Sequence, residues 1–429
     1  MNLIRDAPVD LIVQLLGSWL TLEDICHLDS AVCSHGNRPS MWTIYEVLAL
    51  KISLKMNGPG LEKQLNWFLK RKIRLSLLQI DYRMPESTFS KVAALFKQSN
   101  NQLGSLYVAD NDSLILTVAE TIIRYCINLK AFTVTEMELN ERIFAICGRM
   151  NGLEKLEFFR CRSLRLPLEV MRSICLSSLS TLVLTGWFSI AMQKEILRMC
   201  PNLSHYYLTD TEAVELRDLP NSLESVHVFN CKSIRVVNLN ERLGKLLISC
   251  TASTDDDIVE IFSSCSSLQV LSLSNNWRIT DATMVRVGNT FGKSLTSLDL
   301  YECEAITENG LKYVCEKCQN LVHLTMGGCG YSDPSFITTA LDHLPSLRSL
   351  CIFEAVVTDA LLARVAAAVS LETLDITYVR GCTEKGIMSL VKGCASLKLI
   401  AVNDALVTPL VSLMWKELRP ELNIKRSFD

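Results

Sequence analysis

The sequence predicts an α/β solenoid, with a parallel sheet on the concave face, helices outside and a small helical bundle at the front end. Three observations carry this. The first is a recurring phrase, clearest in four consecutive segments: Leu268-x-x-Leu271-x-Leu273, Leu295-x-x-Leu298-x-Leu300, Leu321-x-x-Leu324-x-Met326 and Leu347-x-x-Leu350-x-Ile352. The second is a set of residues at fixed offsets after the phrase. Asn276, Cys303 and Cys329 come after the first three segments, then Ile279-Thr280-Asp281, Ile306-Thr307-Glu308 and, more loosely, Val357-Thr358-Asp359. The third is a helical stretch that closes on Cys-x-x-Leu, with Cys265 before Leu268 and Cys318 before Leu321.

The N-terminal block, residues 1–50, reads as three short helices. Asp6 is placed to cap the first, which opens at Pro8 and carries Leu11, Ile12, Leu15, Leu16, Trp19 and Leu20. Thr21, Glu23 and Asp24 favour the start of a second, through Leu22, Ile25, Leu28 and Val32. Pro39-Ser40-Met41-Trp42 begins a third with Ile44, Tyr45, Leu48 and Leu50. A bundle of about 50 residues is too small to be stable without a partner. Residues 51–74 read as a helical connector. Asn57-Gly58-Pro59-Gly60 is a break; Leu61, Leu65, Phe68 and Leu69 form a stripe, with a basic tail of Lys70, Arg71, Lys72 and Arg74 at its end. That tail reads as a solvated helix end favoured by the dipole rather than a nucleic-acid contact.

Residues 75–429 carry the array. The phrase is traceable from Leu75 to Leu397 as about 14 repeats, at spacings of about 20 to 28 residues, the range of leucine-rich repeats. The second and third leucines alternate inward on a short strand; each strand pairs in parallel with the next, and the helix returns the chain outside. Stacked in this way the repeats make a horseshoe with one continuous core. An Asn or Cys after the strand suits a buried turn whose backbone groups need partners, at Asn111, Cys161, Cys231, Asn276, Cys303 and Cys329. The spacings 203 to 223 and 223 to 243 leave no room for a helix, so extended or single-turn structure is expected there. A last helix through Val411 to Leu418, an edge strand from Pro420 to Ile424 and the charges of Lys425 and Arg426 form an end cap.

Composition narrows the function classes. With 49% hydrophobic residues the chain can fill a long core, and its net charge of -3 gives no nucleic-acid footprint and no attraction to an anionic membrane. No window reaches the roughly 18 apolar residues of a membrane span. Asp6 and Asp10 stand where a secretory leader is uncharged, and 17 cysteines without such a leader imply free thiols. The expectation is an intracellular protein, cytoplasmic or nuclear.

The N-terminal string also resembles an F-box, through Pro8, Leu11, Ile12, Leu15, Leu20, Leu22, Asp24, Ile25, Leu28, Val32, Cys33 and Trp42. It departs where Ala7 replaces a leucine and Gly36 stands near the usual tryptophan. The repeats resemble the cysteine-containing type of the F-box/leucine-rich-repeat family, strongly from about 265 to 400, loosely from 75 to 264. The resemblance implies a non-catalytic substrate receptor whose F-box docks on a Skp1-like adaptor within a cullin–RING ubiquitin ligase, while the repeats hold a protein substrate. It places the adaptor contacts at Pro8, Leu11, Ile12, Leu15, Leu20 and Leu22. The alternative is a repeat scaffold with no ligase role, its N-terminal helices sealing the first repeat.

Motifs that suggest chemistry have simpler readings. Cys315-x-x-Cys318 lacks a second ligand pair for zinc, and Cys318 fills the same slot as Cys126, Cys200, Cys265 and Cys394. The six histidines form no metal pattern, and no nucleophile elbow, phosphate loop or dinucleotide fingerprint occurs, so no cofactor, metal or catalytic set is expected. Asp255-Asp256-Asp257 reads as a helix cap. Outward positions beside the inward leucines give Phe159, His205, Tyr207, His227, Phe229, Tyr301 and Phe353, with Trp187 and Phe188 in loops. Aromatics on a concave sheet are candidate hot spots for a protein partner, or ordinary surface scatter. A second, acidic group, Asp299, Glu302, Glu304, Glu354 and Asp375, either favours a basic partner or is solvated.

Overall fold

The computed structural model describes residues 50–54, 59–80, 84–162, 168–217, 219–237, 239–262, 265–329, 335–367, 371–403 and 409–426. The three helices expected before residue 50, and with them Pro8, Leu11, Ile12, Leu15, Leu20 and Leu22, lie outside the described residues. The chain divides into two compact units, 1–204 and 205–429.

In the first unit the strands β1 (Leu50–Leu54), β2 (Leu75–Ile80), β3 (Ser105–Ala109), β4 (Ala131–Thr135), β5 (Lys155–Phe159) and β6 (Thr181–Thr185) pair in parallel in chain order. Between them run α1 (Pro59–Lys70), α2 (Phe89–Ser99), α3 (Asp112–Tyr125), α4 (Glu141–Arg149) and α5 (Leu168–Arg172), and α6 (Ile190–Arg198) comes after β6. The sheet thus starts one strand earlier than the boundary at 75. Leu50, expected in a helix, opens β1, because Leu50-Lys51-Ile52-Ser53-Leu54 alternates with period two and β2 offers a parallel neighbour. The connector helix α1 is then the helix of a repeat, with Leu61, Leu65 and Phe68 in the core.

In the second unit β7 (His205–Thr209), β9 (Ser225–Phe229), β11 (Lys245–Ser249), β12 (Val270–Ser272), β13 (Ser297–Asp299), β14 (His323–Gly327), β15 (Ser349–Phe353), β16 (Thr373–Ile376), β17 (Leu399–Val402) and β18 (Asn423–Arg426) pair in parallel in that order. The two short repeats carry β8 (Ala213–Arg217) and β10 (Ser233–Val237) in place of helices, and these form their own parallel two-stranded sheet. Full helices resume with α7 (Asp255–Phe262), α8 (Asp281–Phe291), α9 (Glu308–Lys317), α10 (Ser335–His343), α11 (Asp359–Ala366), α12 (Glu384–Gly393) and α13 (Pro409–Leu418). Trp415 on α13 is fully buried, and the Arg419 guanidinium donates to the carbonyls of Cys394 (3.0 Å) and Leu397 (2.8 Å), closing the last turn.

The leucines of the phrase build the core: Leu268, Leu271, Leu273, Leu295, Leu298 and Leu300 are all buried. Each contributes roughly 1.5–3 kcal/mol by leaving water. Turn residues tie one repeat to the previous one. The Cys161 thiol donates to the Val134 carbonyl (3.3 Å), Cys303 to Leu273 (3.0 Å) and Cys329 to Leu300 (3.0 Å). Asn276 occupies the same slot with a fuller set of bonds, donating to Ile248 (2.6 Å) and Leu273 (2.8 Å) and accepting from the Thr251 backbone (3.1 Å).

The Ile-Thr-Asp phrase works differently from a simple cap. Thr280, Thr307 and Thr383 cap their own helices. The aspartate instead holds the next repeat. Asp281 accepts from the Thr307 backbone and hydroxyl at 2.7 and 2.6 Å, and Asp359 from those of Thr383 at 2.7 Å each. Asp255 does the same for Thr280 at 2.9 and 2.7 Å, so only Asp257, accepting from Thr254 at 2.8 Å, matches the expected capping role in that triplet. Gly310 and Gly386 sit against these carboxylates, where a methyl group would meet Asp281 or Asp359 oxygen at 2.3 or 2.1 Å.

Candidate protein-binding surface

Along β7, β9 and β11 the inward residues Tyr206, Leu208, Val226, Val228, Leu246 and Ile248 are buried. Strand alternation therefore turns His205, Tyr207, His227, Phe229 and Lys245 to the open face. The register sets them in rows: His205 beside Ser225 beside Lys245, Tyr207 beside His227 beside Leu247, and Thr209 beside Phe229 beside Ser249. The expected neighbours are brought together. The Tyr207 and His227 rings lie 4.4 Å apart, tilted by 49°. His227 Nε2 is 2.9 Å from the Ser225 hydroxyl.

The electrostatics of this cluster are those of a mostly neutral surface. Burial, reinforced by Lys245 and His205, pushes the His227 imidazolium down to about 4, so the ring is uncharged at neutral pH. Lys245 is the fixed cation on these three strands, and none of their outward positions carries a carboxylate. Phe229 is 48% exposed at the strand end. Aromatic faces, a neutral imidazole and one cation suit a partly apolar segment of a partner protein.

The other expected contact residues fall into separate places. Tyr301 and Phe353 also meet, edge-to-face with centroids 5.5 Å apart, although two repeats separate them in sequence. Gly327, in register with Phe353, stands between them without a side chain. In the first unit Phe159 is exposed at the end of β5 under the Arg160 guanidinium, 5.2 Å from its ring. Trp187 is 82% exposed, but Phe188, expected beside it on the surface, is buried at 2%. It precedes the Ser189 cap of α6, and its carbonyl accepts from the Gln193 side chain at 2.9 Å; the turn at Gly186 sends its ring into the core.

Two features of the surface were not legible as contact residues. One is a residue one to three positions past a strand, which adopts positive φ in repeat after repeat: Asp210, Asn230, Cys250, Asn275, Glu302, Glu354 and Tyr378 in the second unit. Its backbone N–H reaches the end of the neighbouring strand, as from Asp210 to Phe229 and Glu302 to Gly327. The other is an open cavity of about 670 Å³ at the ends of β15–β17, lined by Glu354, Val356, Tyr378, Arg380 and Asn403. The Asp and Asn residues of that positive-φ row are the signal that would have placed Tyr378 in it.

The thiols buried in the array are structural rather than reactive. Burial pushes Cys161 up to about 11 and Cys315 and Cys318 up to about 12, and it also raises Cys231 and Cys303. Such groups stay protonated at neutral pH. Cys329, expected to be buried, is only half-buried. Maleimide labelling of the native protein is expected to modify exposed Cys175 faster than half-buried Cys329, leaving Cys161, Cys231 and Cys303 unlabelled until unfolding. Equal rates at all five would contradict this packing. Among the described residues no group of three or more His, Cys, Asp or Glu is arranged to hold a metal ion, and no helix is long and apolar enough to cross a membrane.

No protein-family model matches the chain. It is 25% identical over 182 residues to the F-box/LRR-repeat protein 4 of Bos taurus, covering 38% of this chain and 29% of that protein. It is 28% identical over 174 residues to the F-box protein SKIP1 of Arabidopsis thaliana, covering 38% of this chain and 55% of that protein. The chain thus spans less than two thirds of the length of either relative. Among solved structures it is similar to the yeast complex of Rad7 and Elc1, with 19% identity, a TM-score of 0.44 and coverage of 95% of this chain and 98% of that one.

Proposed function

We propose that this chain, a relative of the F-box/leucine-rich-repeat proteins, is a non-catalytic substrate-recognition subunit of a Skp1–cullin–F-box ubiquitin ligase, working in the cytoplasm or nucleus. The observation that carries the reading is the pairing of two features in one chain. An F-box-like string with Pro8, Leu11, Ile12, Leu15, Leu20 and Leu22 precedes a repeat array whose open strand face presents a clustered aromatic surface. The first supplies an adaptor contact. The second supplies a substrate contact in which main-chain groups are already paired within the sheet, so affinity must come from the outward side chains. The test is co-purification of the tagged chain with a Skp1-type adaptor and a cullin.

On this reading Tyr207 and Phe229 bind substrate without supporting the core. The double variant Tyr207→Ala/Phe229→Ala is expected to weaken substrate binding by about 2–4 kcal/mol in sum, while changing folding stability by less than about 1 kcal/mol. Binding is read by calorimetry with a co-purified partner and stability by thermal melting. A sharp fall in melting temperature with affinity intact would move the binding surface elsewhere.

A further inference from the structure

The strand ends of β13–β16 carry charge of one sign. Asp299, Glu302, Glu304, Glu354 and Asp375 gather there, and none has a cationic partner among the described residues. Arg380 is the one cation at these described strand ends. At the opposite ends of the strands, by contrast, Glu372 joins Arg348 (2.5 Å) and Lys398 (2.7 Å). Unmatched carboxylates repel one another and weaken the fold slightly, so their concentration beside aromatic rings calls for an account.

The rings are part of the same surface. Tyr301 and Phe353 meet over Gly327, and the Tyr301 hydroxyl donates to Glu354 at 3.3 Å. Glu354 is also a wall of the 670 Å³ cavity, whose Tyr378 and Val356 are 59% and 49% exposed. Aromatic faces, an open cavity and carboxylates therefore form one continuous patch. Its field is felt locally: burial first, then Glu302 and Glu354, make Tyr301 harder to ionise.

We infer that the patch formed by Tyr301, Phe353, Glu354 and the Tyr378 cavity is a docking site for a cationic, Lys- or Arg-bearing segment of a protein partner. Charge complementarity selects that occupant. The aromatic faces attract an ammonium or guanidinium group, and the carboxylates at the rim pair with neighbouring basic residues. The patch is distinct from the His205, Tyr207, His227 and Phe229 cluster, where no outward position carries a carboxylate. The inference rests on the reading of the strand face as protein-binding, but it needs no adaptor.

Fluorescence anisotropy of the full chain with a short labelled peptide of alternating Lys and Gly tests it, against a counterpart of alternating Glu and Gly. The Lys peptide alone is expected to bind, more weakly as salt rises. Asp299→Asn/Glu354→Gln/Asp375→Asn is expected to lose affinity at least about tenfold. Because Asp299 also accepts from Ser272 and from the Tyr301 backbone, the pair Glu304→Gln/Glu354→Gln and the single Tyr378→Ala provide variants whose side chains lie outside the core. Each is expected to lose affinity several-fold. A control triple on helix surfaces, Asp256→Asn/Glu384→Gln/Glu417→Gln, is expected to bind like the parent. No binding by the parent, equal binding of both peptides, or equal loss in the control triple would overturn the inference. A chain that captures the adaptor yet gives any of those results keeps the receptor reading and loses this one.

Discussion

Asn276→Ala is expected to lower folding stability by about 3 kcal/mol or more. Asn276 is fully buried between two repeats. Its amide donates to the carbonyls of Ile248 and Leu273, and its oxygen accepts from the Thr251 backbone and hydroxyl. Truncation leaves the Ile248 carbonyl and the Thr251 N–H without these partners, and an unpaired buried backbone group costs about 1–3 kcal/mol. The Leu273 carbonyl is spared, since the Cys303 thiol also donates to it. Denaturant unfolding measures the loss. Because stability in an array is distributed among neighbours, hydrogen exchange of the amides around Thr251 should rise with it. A loss below about 1 kcal/mol would show that water replaces the amide and that this turn is not sealed.

Gly327→Ala is expected to cost about 2–4 kcal/mol and to break the aromatic pair above it. Gly327 has φ of +146°, and a methyl group there would lie 2.1 Å from the Phe353 carbonyl oxygen, a backbone atom that cannot swing away. The two strands must separate, and Tyr301 and Phe353 with them. Gly244→Ala is the matched control: nothing lies within 4 Å of its added methyl group, so stability should change by less than about 0.5 kcal/mol. Thermal melting gives the stability, and near-ultraviolet circular dichroism reports the Tyr301 environment. Equal effects of the two substitutions would contradict the close approach at Gly327.

Much of this architecture is legible because its causes are local. The inward leucines sit at period two on strands and are spaced at a repeat length, so the register of Leu271, Leu298 and Leu324 comes from counting. The spacing of 20 residues between Leu203, Leu223 and Leu243 excludes a helix, and β8 and β10 fill that space. The features that are not legible depend on the neighbouring repeat. Asp255 looks like a cap for the helix it starts, and its actual partner, Thr280, is 25 residues away. Phe188 looks like surface because a loop residue has no periodicity to place it. The Tyr301–Phe353 pair depends on the missing side chain at Gly327, a full repeat from either ring. Leu50 to Leu54 lacks the leucine phrase, so the first strand is recognisable only once its neighbour is in place.

The receptor role is tested most directly by capture of the adaptor by the tagged full chain and by Ile12→Asp/Leu15→Asp, with the melting temperature of both. Ile12 and Leu15 fall on the F-box-like string, where two carboxylates would oppose an apolar adaptor contact. The parent is expected to retain a Skp1-type adaptor and a cullin and the double variant neither, and both chains are expected to melt alike because the repeats fold without that contact. Failure of the parent to retain the adaptor, or undiminished retention by the double variant, would contradict that role.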